Sequence, residues 1–264
     1  VLKEKGSEPM VSSSMAEGQT TTIDARTLSH RELNAKLREV ISNGAQRIEL
    51  HNVYGQRYIG TDLGKPATID IFGTPGNDLG AFMAGPRIIV HGNAQDGCGN
   101  TMDDGEIIVH GHAGDILGLS ARGGKIFIKE DVGYRAGIHM KEYQDKRPVA
   151  VIGGTAQDFL GEYMAGGILV ILGLGLGEGK RHRASFIGTG MHGGVIYVRG
   201  EVEQFQLGKE VGVAELDEND SLLLGETVGE FACHFGYNAE KILEHKFIKL
   251  FPLYLRPYGR LYAY

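Results

Sequence analysis

Two cysteines in 264 residues leave no material for a four-cysteine zinc or iron–sulfur frame. Cys98 and Cys233 stand in unrelated contexts, and so few thiols fit a reducing compartment, so a cytoplasmic location is expected. Tryptophan is absent and prolines number only 7, which excludes a collagen-like or proline-rich linker chain. No apolar run approaches the ~18 residues of a membrane-spanning helix. Positive charge is scarce as well. Lys and Arg number 27 against 33 Asp and Glu, a net charge of −6, which argues against a broad nucleic-acid surface. The opening VLKEKGSEPMVSSSMAEGQT lacks the apolar segment of a signal peptide; residues 1–20 are expected to form a disordered tail.

Glycine is abundant instead, at 41 of 264 residues, roughly twice the ~7% average. GTPGNDLG from Gly73 and GHAGDILG from Gly111 share the spacing Gly-x-x-Gly-x-x-x-Gly. Such a loop can cradle a phosphate, because bare backbone N–H groups approach an anion closely. It can equally turn a tight corner that needs positive φ. A phosphate loop occurs once, between a strand and a helix, and ends in Gly-Lys-Ser/Thr. Here the glycines recur and that ending is missing, so corners are the expected reading.

Recurrence organises the chain. Markers at Gly73, Gly92, Gly111, Glu130, Gly153, Gly173 and Gly200 are separated by 19, 19, 19, 23, 20 and 27 residues. Two residues before them stand Ile71, Val90, Val109, Ile128, Val151, Ile171 and Val198. Four before stand Ile69, Ile88, Ile107, Ile126, Val149, Leu169 and Ile196. All are aliphatic, and period-two spacing puts them on one face of a strand. Gly-x-x-Met or Gly-x-x-Ala keeps the same beat, from Gly80/Met83 to Gly188/Met191. The longer steps hold insertions, KEYQDKR after Met140 and GLGEGKRHRA after Gly173.

A period near 19 over seven strands is too short for strand–helix units and marks a solenoid. Leucine-rich and hexapeptide patterns are absent. The expected fold is a right-handed parallel β-helix of about seven coils over residues 47–216, roughly 34 Å tall at one strand spacing per coil. Residues 21–46 form a strand and helix ahead of it: Ser29 and Glu32 make a capping box, and Leu33, Leu37, Val40 and Ile41 one apolar stripe. VGVAEL from Val211 can add a last, shorter coil. Residues 217–264 form a helical cap and tail, with Leu224, Val228, Phe231 and Phe235 on one helix face and Asn238 capping a second helix. The two helical flanks are expected to cover the solenoid's open ends.

The Gly73-x-x-Gly76-x-x-x-Gly80 spacing and its copies, FLGEYMAGGILVILG from Phe159 and GTGMHGGVIYVRG from Gly188, resemble the GXGXG domain of glutamate synthase. The likeness covers roughly residues 47–200 plus the helical tail. A module standing with only a short leading helix is similar to the separate GXGXG component of archaeal-type glutamate synthase. A component of formylmethanofuran dehydrogenase, a tungsten or molybdenum enzyme, shares the fold. The resemblance implies a non-catalytic spacer beside an amidotransferase part, which frees ammonia from glutamine, and an FMN and iron–sulfur synthase part. That part would use the ammonia with 2-oxoglutarate to make glutamate. This chain would bind no flavin, iron–sulfur cluster or metal, would help to wall the ammonia path, and could associate with itself. The alternatives are the same role in a formylmethanofuran-dehydrogenase-like complex, or an independent β-helix enzyme acting on a polymer or acyl substrate. Gln95, Glu130 and Gln157 depart from the glycine pattern, which suits punctuation better than a ligand cage.

Among chemistry-bearing residues, His91 and His110 occupy equivalent places on adjacent coils, with His112 close. They could bind a metal, or form an outward ladder that is solvated or hydrogen-bonded, the reading favoured by their place one residue after an inward aliphatic. Asp103, Asp104, Asp115 and Asp158 are expected to form turns rather than a lyase site. Cys98 has no His/Asn signature around it and reads as a plain corner thiol. The loop GKRHR concentrates Lys180, Arg181 and Arg183 and is the candidate contact for an acidic partner surface, against the alternative of solvated charge.

Overall fold

A computed structural model describes residues 20–177 and 180–254. The expected tail apart from Thr20, the aromatic terminus from residue 255, and Glu178 and Gly179 of the second insertion lie outside the described residues. The strands are β1 (Thr21–Asp24), β2 (Arg47–Tyr54), β3 (Thr68–Thr74), β4 (Ala84–Val90), β5 (Asp104–Val109), β6 (Lys125–Ile128), β7 (Val149–Ile152), β8 (Ala165–Ile171), β9 (Gly193–Arg199), β10 (Val211–Ala214) and β11 (Phe247–Pro252). The helices are α1 (His30–Ser42), α2 (Glu218–Phe235) and α3 (Ala239–Leu243).

Among the described residues eleven strands form one sheet in the order β1-β2-β3-β4-β5-β6-β7-β8-β9-β11-β10. From β1 to β9 every neighbour is parallel, so the chain is a parallel β-solenoid. The seven anticipated strands are β3 to β9. The ladder also extends backward, because β1 pairs with β2 and the chain between them forms α1. Ile69, Ile88, Ile107 and Ile126 stack in one inward column, and Ile71, Val90, Val109 and Ile128 in the next.

The expectation fails by one residue at β7. Ala150 and Ile152, not Val149 and Val151, continue those columns. In VAVI both parities are apolar, so alternation does not fix the register. The true first glycine of that coil is Gly154, which restores the seven-residue span to Gly161. The insertion sizes follow. Corner contacts between adjacent coils span 19 residues from Asp96 to Asp115, 24 from Asp131 to Thr155 and 27 from Asp158 to Ser185.

The two flanks behave differently. Leu33, Leu37 and Ile41 of α1 join the interior core beside Ile23 and Ile48, as expected of a cover. Helix α2 instead lies on the outer face of the sheet. Its Leu224, Val228 and Phe231 pack on Ile108, Phe127, Val151, Val170 and Tyr197, the outward residues of β5 to β9. The far end is finished by β11, antiparallel to β9, and by β10, antiparallel to β11. Val211–Ala214 is therefore not a further coil.

Candidate functional site

Each coil turns through a corner whose backbone is left-handed at several places. At Ile116, Gly118 and Ser120 the φ angles are 51°, 64° and 54°. A residue with a Cβ enters this region at a cost, whereas glycine enters it freely. On the adjacent turn, aspartates tie coil to coil. Asp115 Oδ1 accepts from the N–H of Tyr134 at 2.8 Å, Asp96 Oδ1 from Asp115 at 2.9 Å and Asp158 Oδ1 from Ser185 at 2.8 Å. Asp104 accepts from the N–H of Gly105 at 2.7 Å. Asp115 and Asp158 are thus spent on corners, as anticipated, whereas Asp104 opens strand β5 and Asp103 sits half-buried beside it.

The middle glycines make room for those carboxylates. A Cβ on Gly133 would overlap Asp115 Oδ1 and the backbone of Gly114 and Asp115. Gly133→Ala should therefore lower stability by about 1–3 kcal/mol, the scale of an overpacked interior, although alanine is normally neutral on a surface. Urea denaturation of the pair checks this, and an unchanged midpoint would refute the close approach.

The histidines form an outward stack. His51 lies on Phe72 at 4.6 Å, Phe72 on His91 at 4.5 Å and His91 on His110 at 5.6 Å, all within 13° of parallel. Phe235 of α2 meets His110 edge-on at 5.2 Å. His91 Nε2 is 2.9 Å from Oδ1 of the buried Asp70, whose other oxygen lies 3.0 Å from Arg47. Burial, then the neighbouring His91, hold His110 below the usual imidazole range. His112 is exposed and is not brought to this stack; its backbone N–H bonds Asn93. Rings stacked face to face present no converging lone pairs. Among the described residues no group of three His, Cys, Asp or Glu is placed to hold a metal ion.

The cationic insertion is more structured than a solvated loop. Lys180, Arg181 and Arg183 are exposed, but Arg181 pairs with Glu203 at 2.6 Å. His182 between them is buried, with Nε2 2.9 Å from the Arg199 carbonyl. Burial holds it below the usual imidazole range, against the pull of that carbonyl. Strand β9 also carries a polar cluster that no sequence motif announces. The buried Tyr197 hydroxyl donates to Asp220 Oδ1 at 2.6 Å, and Lys249 Nζ donates to Asp220 Oδ2 at 2.8 Å. Asp217 and Asp220 form the capping box of α2, so the cluster joins the helix start to β9 and β11.

Comparison with known proteins places these coils. A family model described as the GXGXG motif matches residues 20–254. The chain belongs to the GXGXG motif family. A similar protein of Methanocaldococcus jannaschii, described as "Uncharacterized protein MJ1350", is 52% identical over 256 residues, covering 93% of this chain and 97% of that one. In this GXGXG chain the named glycines serve corners and close coil-to-coil approach, and the family match extends through α2 to β11. No described helix is long and apolar enough to cross a membrane. Cys98 sits in a corner as expected, between Gly97 and Gly99 with φ angles of 70° and 72°, and its carbonyl accepts from the Gly118 N–H of the next coil. Its thiol is buried, which pushes it up to about 12, whereas Cys233 is exposed. A thiolate-seeking reagent at neutral pH is expected to label one cysteine per native chain and two after denaturation; rapid native labelling of Cys98 would contradict its burial.

Proposed function

We propose that this GXGXG protein is a non-catalytic spacer subunit of a glutamate synthase-like oxidoreductase in the cytoplasm. It would hold an amidotransferase part and an FMN and iron–sulfur synthase part at a fixed separation while glutamine and 2-oxoglutarate are converted to glutamate. It would supply one wall of the ammonia path and no cofactor ligand. The observation that carries this reading is the family match across residues 20–254, which spans every described residue. The parallel ladder supports it physically: a solenoid's length is set by coil number, and its stiffness by continuous strand pairing.

Partner recognition needs a local irregularity, because repeated coils offer similar surface at each level. The insertions at residues 141–147 and around Lys180, Arg181 and Arg183 supply it. Purification from the source cell should bring down large flavoprotein and glutaminase subunits; recovery with molybdopterin subunits would replace the reading with a formylmethanofuran-dehydrogenase-like one. Changing Lys180, Arg181 and Arg183 together to serine should alter folding by no more than about 0.5–1 kcal/mol, since the Arg181–Glu203 pair is exposed. It should weaken association, most at low salt. Equal affinity of variant and parent at both salts would remove the loop from the interface.

A further inference from the structure

Two left-handed columns run along the corner of the solenoid. Between adjacent coils, each N–H bonds the carbonyl just before its counterpart. This aligns Tyr58, Asp78, Gly97 and Ile116 on the first four levels of one column, and Arg135, Phe159 and Phe186 on the next three. The second column runs through Asp62, Phe82, Thr101 and Ser120, then His139, Tyr163 and Gly190. All fourteen have φ between 50° and 71°. Such backbone favours Gly, Asn and Asp, and a bulky side chain there is an outlier. Outliers of this kind concentrate at functional surfaces. Only two of the fourteen are glycine, and five are Phe or Tyr. The backbone repeats from level to level, but the side chains do not.

Folding leaves these rings half uncovered. Tyr58, Phe82, Tyr163 and Phe186, with Tyr134 beside Arg135, are 43–55% exposed. They stack on their own column rather than on the core: Phe159 on Phe186 at 4.9 Å, His139 on Tyr163 at 5.4 Å and Arg135 over Phe159 at 4.9 Å. An aromatic side chain carries ~150–250 Å², so the five exposed rings leave on the order of 500 Å² open on each copy. Two copies pressed together would cover about 1,000 Å² with rings alone. Ile116, Arg135 and His139 bring the contact into the ~1,200–2,000 Å² range of stable association.

We propose that this corner is a dimerisation surface, on which a second copy of the chain docks antiparallel about a two-fold axis at the level of Ile116 and Ser120. Such an axis pairs the levels in reverse order and sets each column against itself. Tyr58 then meets Phe186 of the second copy, Phe82 meets Tyr163, and Thr101 meets His139. Arg135, anchored through Nε by Glu162 at 2.8 Å, meets Gly97. The Asp78 carboxylate fills the space that a side chain on Gly97 would need, since a Cβ there would lie 2.7 Å from Asp78 Oδ1. The cation thus arrives at a carboxylate, and large residues face small ones next to the axis. A parallel pairing would instead set Arg135 against His139. The contact is independent of the spacer role and is read on this chain without any other partner.

The test is sedimentation equilibrium of the full chain across micromolar concentrations, where twice the chain mass is expected. Phe82→Asn and Tyr163→Asn replace exposed rings with a residue suited to left-handed backbone, so circular dichroism should show the fold retained. Each should weaken dimerisation about tenfold or more, because the change counts twice across the axis. Cysteine pairs read the register, in a chain whose exposed Cys233 is changed to serine. Ser120→Cys lies opposite itself and should cross-link the two copies on oxidation. Thr101→Cys lies two levels from its own counterpart, about 10 Å along the axis, beyond the ~7 Å Cα reach of a disulfide, and should not. A monomer at every concentration, a dimer indifferent to both asparagine changes, or cross-linking through Thr101→Cys in preference to Ser120→Cys would overturn the proposal.

Discussion

Ile126→Asp is expected to leave no folded protein at 25 °C. Ile126 is 3% exposed and sits mid-ladder, between Ile107 and Ala150. Its Cδ1 occupies the space that a Cβ on Gly99 would need. The change removes about 1.5–3 kcal/mol of apolar burial, opens a void, and places a carboxylate where no donor is at hand, at a cost of several kcal/mol more even if the group neutralises. The sum is comparable to a typical domain's whole stability of ~5–15 kcal/mol. Ile126→Val, by contrast, should cost only about 0.5–1.5 kcal/mol. Soluble yield and thermal melting of the two variants decide the matter. An Ile126→Asp protein that melts like the parent would mean that Ile126 does not face inward.

Lys249→Met should cost about 3–5 kcal/mol at pH 7, because it leaves the Asp220 carboxylate buried and short of its counter-ion. Burial by itself pushes Asp220 up; the Lys249 ammonium, the Tyr197 hydroxyl and the Asp217 N–H outweigh it and hold the group below the usual carboxylate range. A depressed carboxylate lends stability above its unfolded pKa of ~3.9 and withdraws it as pH falls through the lower folded value. In the variant the main lowering influence is gone and burial remains, so the folded pKa rises and protonation relieves the strain. The gap between parent and variant should therefore be largest at neutral pH and shrink toward pH 4. Adding Asp220→Asn to Lys249→Met should recover much of the loss. Urea midpoints at pH 7 and pH 4 provide the check, and a loss independent of pH would show that the ion pair is not its source.

The inward columns are legible in the sequence because Ile69/Ile71, Ile88/Val90, Ile107/Val109 and Ile126/Ile128 recur at fixed spacing ahead of each corner. The second buried face leaves a subtler mark. β3 carries IDI at these positions, but β5 carries IIV, β6 IFI and β8 ILVI. Strands apolar at both parities are covered on both sides, which marks where α2 lies. The same uniformity hides the register of β7, and only the spacing from Gly154 to Gly161 retains it. The strand direction of β11 leaves no trace, since FIKLFP reads alike for parallel and antiparallel pairing. Tyr197, Asp220 and Lys249 come from three separate elements, and nothing local announces that they meet. The buried His182 is masked by the cationic residues on either side of it.

The reversed strand at the end of the ladder also bears on how the molecule meets copies of itself. A column of parallel strands is a template: its last rung can seat the first rung of another copy, and so on without limit. Here the rung beyond β9 runs the opposite way, and β10 beyond it runs opposite again. The outermost rung, β10, thereby regains the direction of β9, but it is only 4 residues long and leaves Val213 exposed, so a second copy offering β1 would find a short edge with an incomplete inward column. The turnaround through α2, α3 and β11 thus works as a terminator that fixes the solenoid at one finite length.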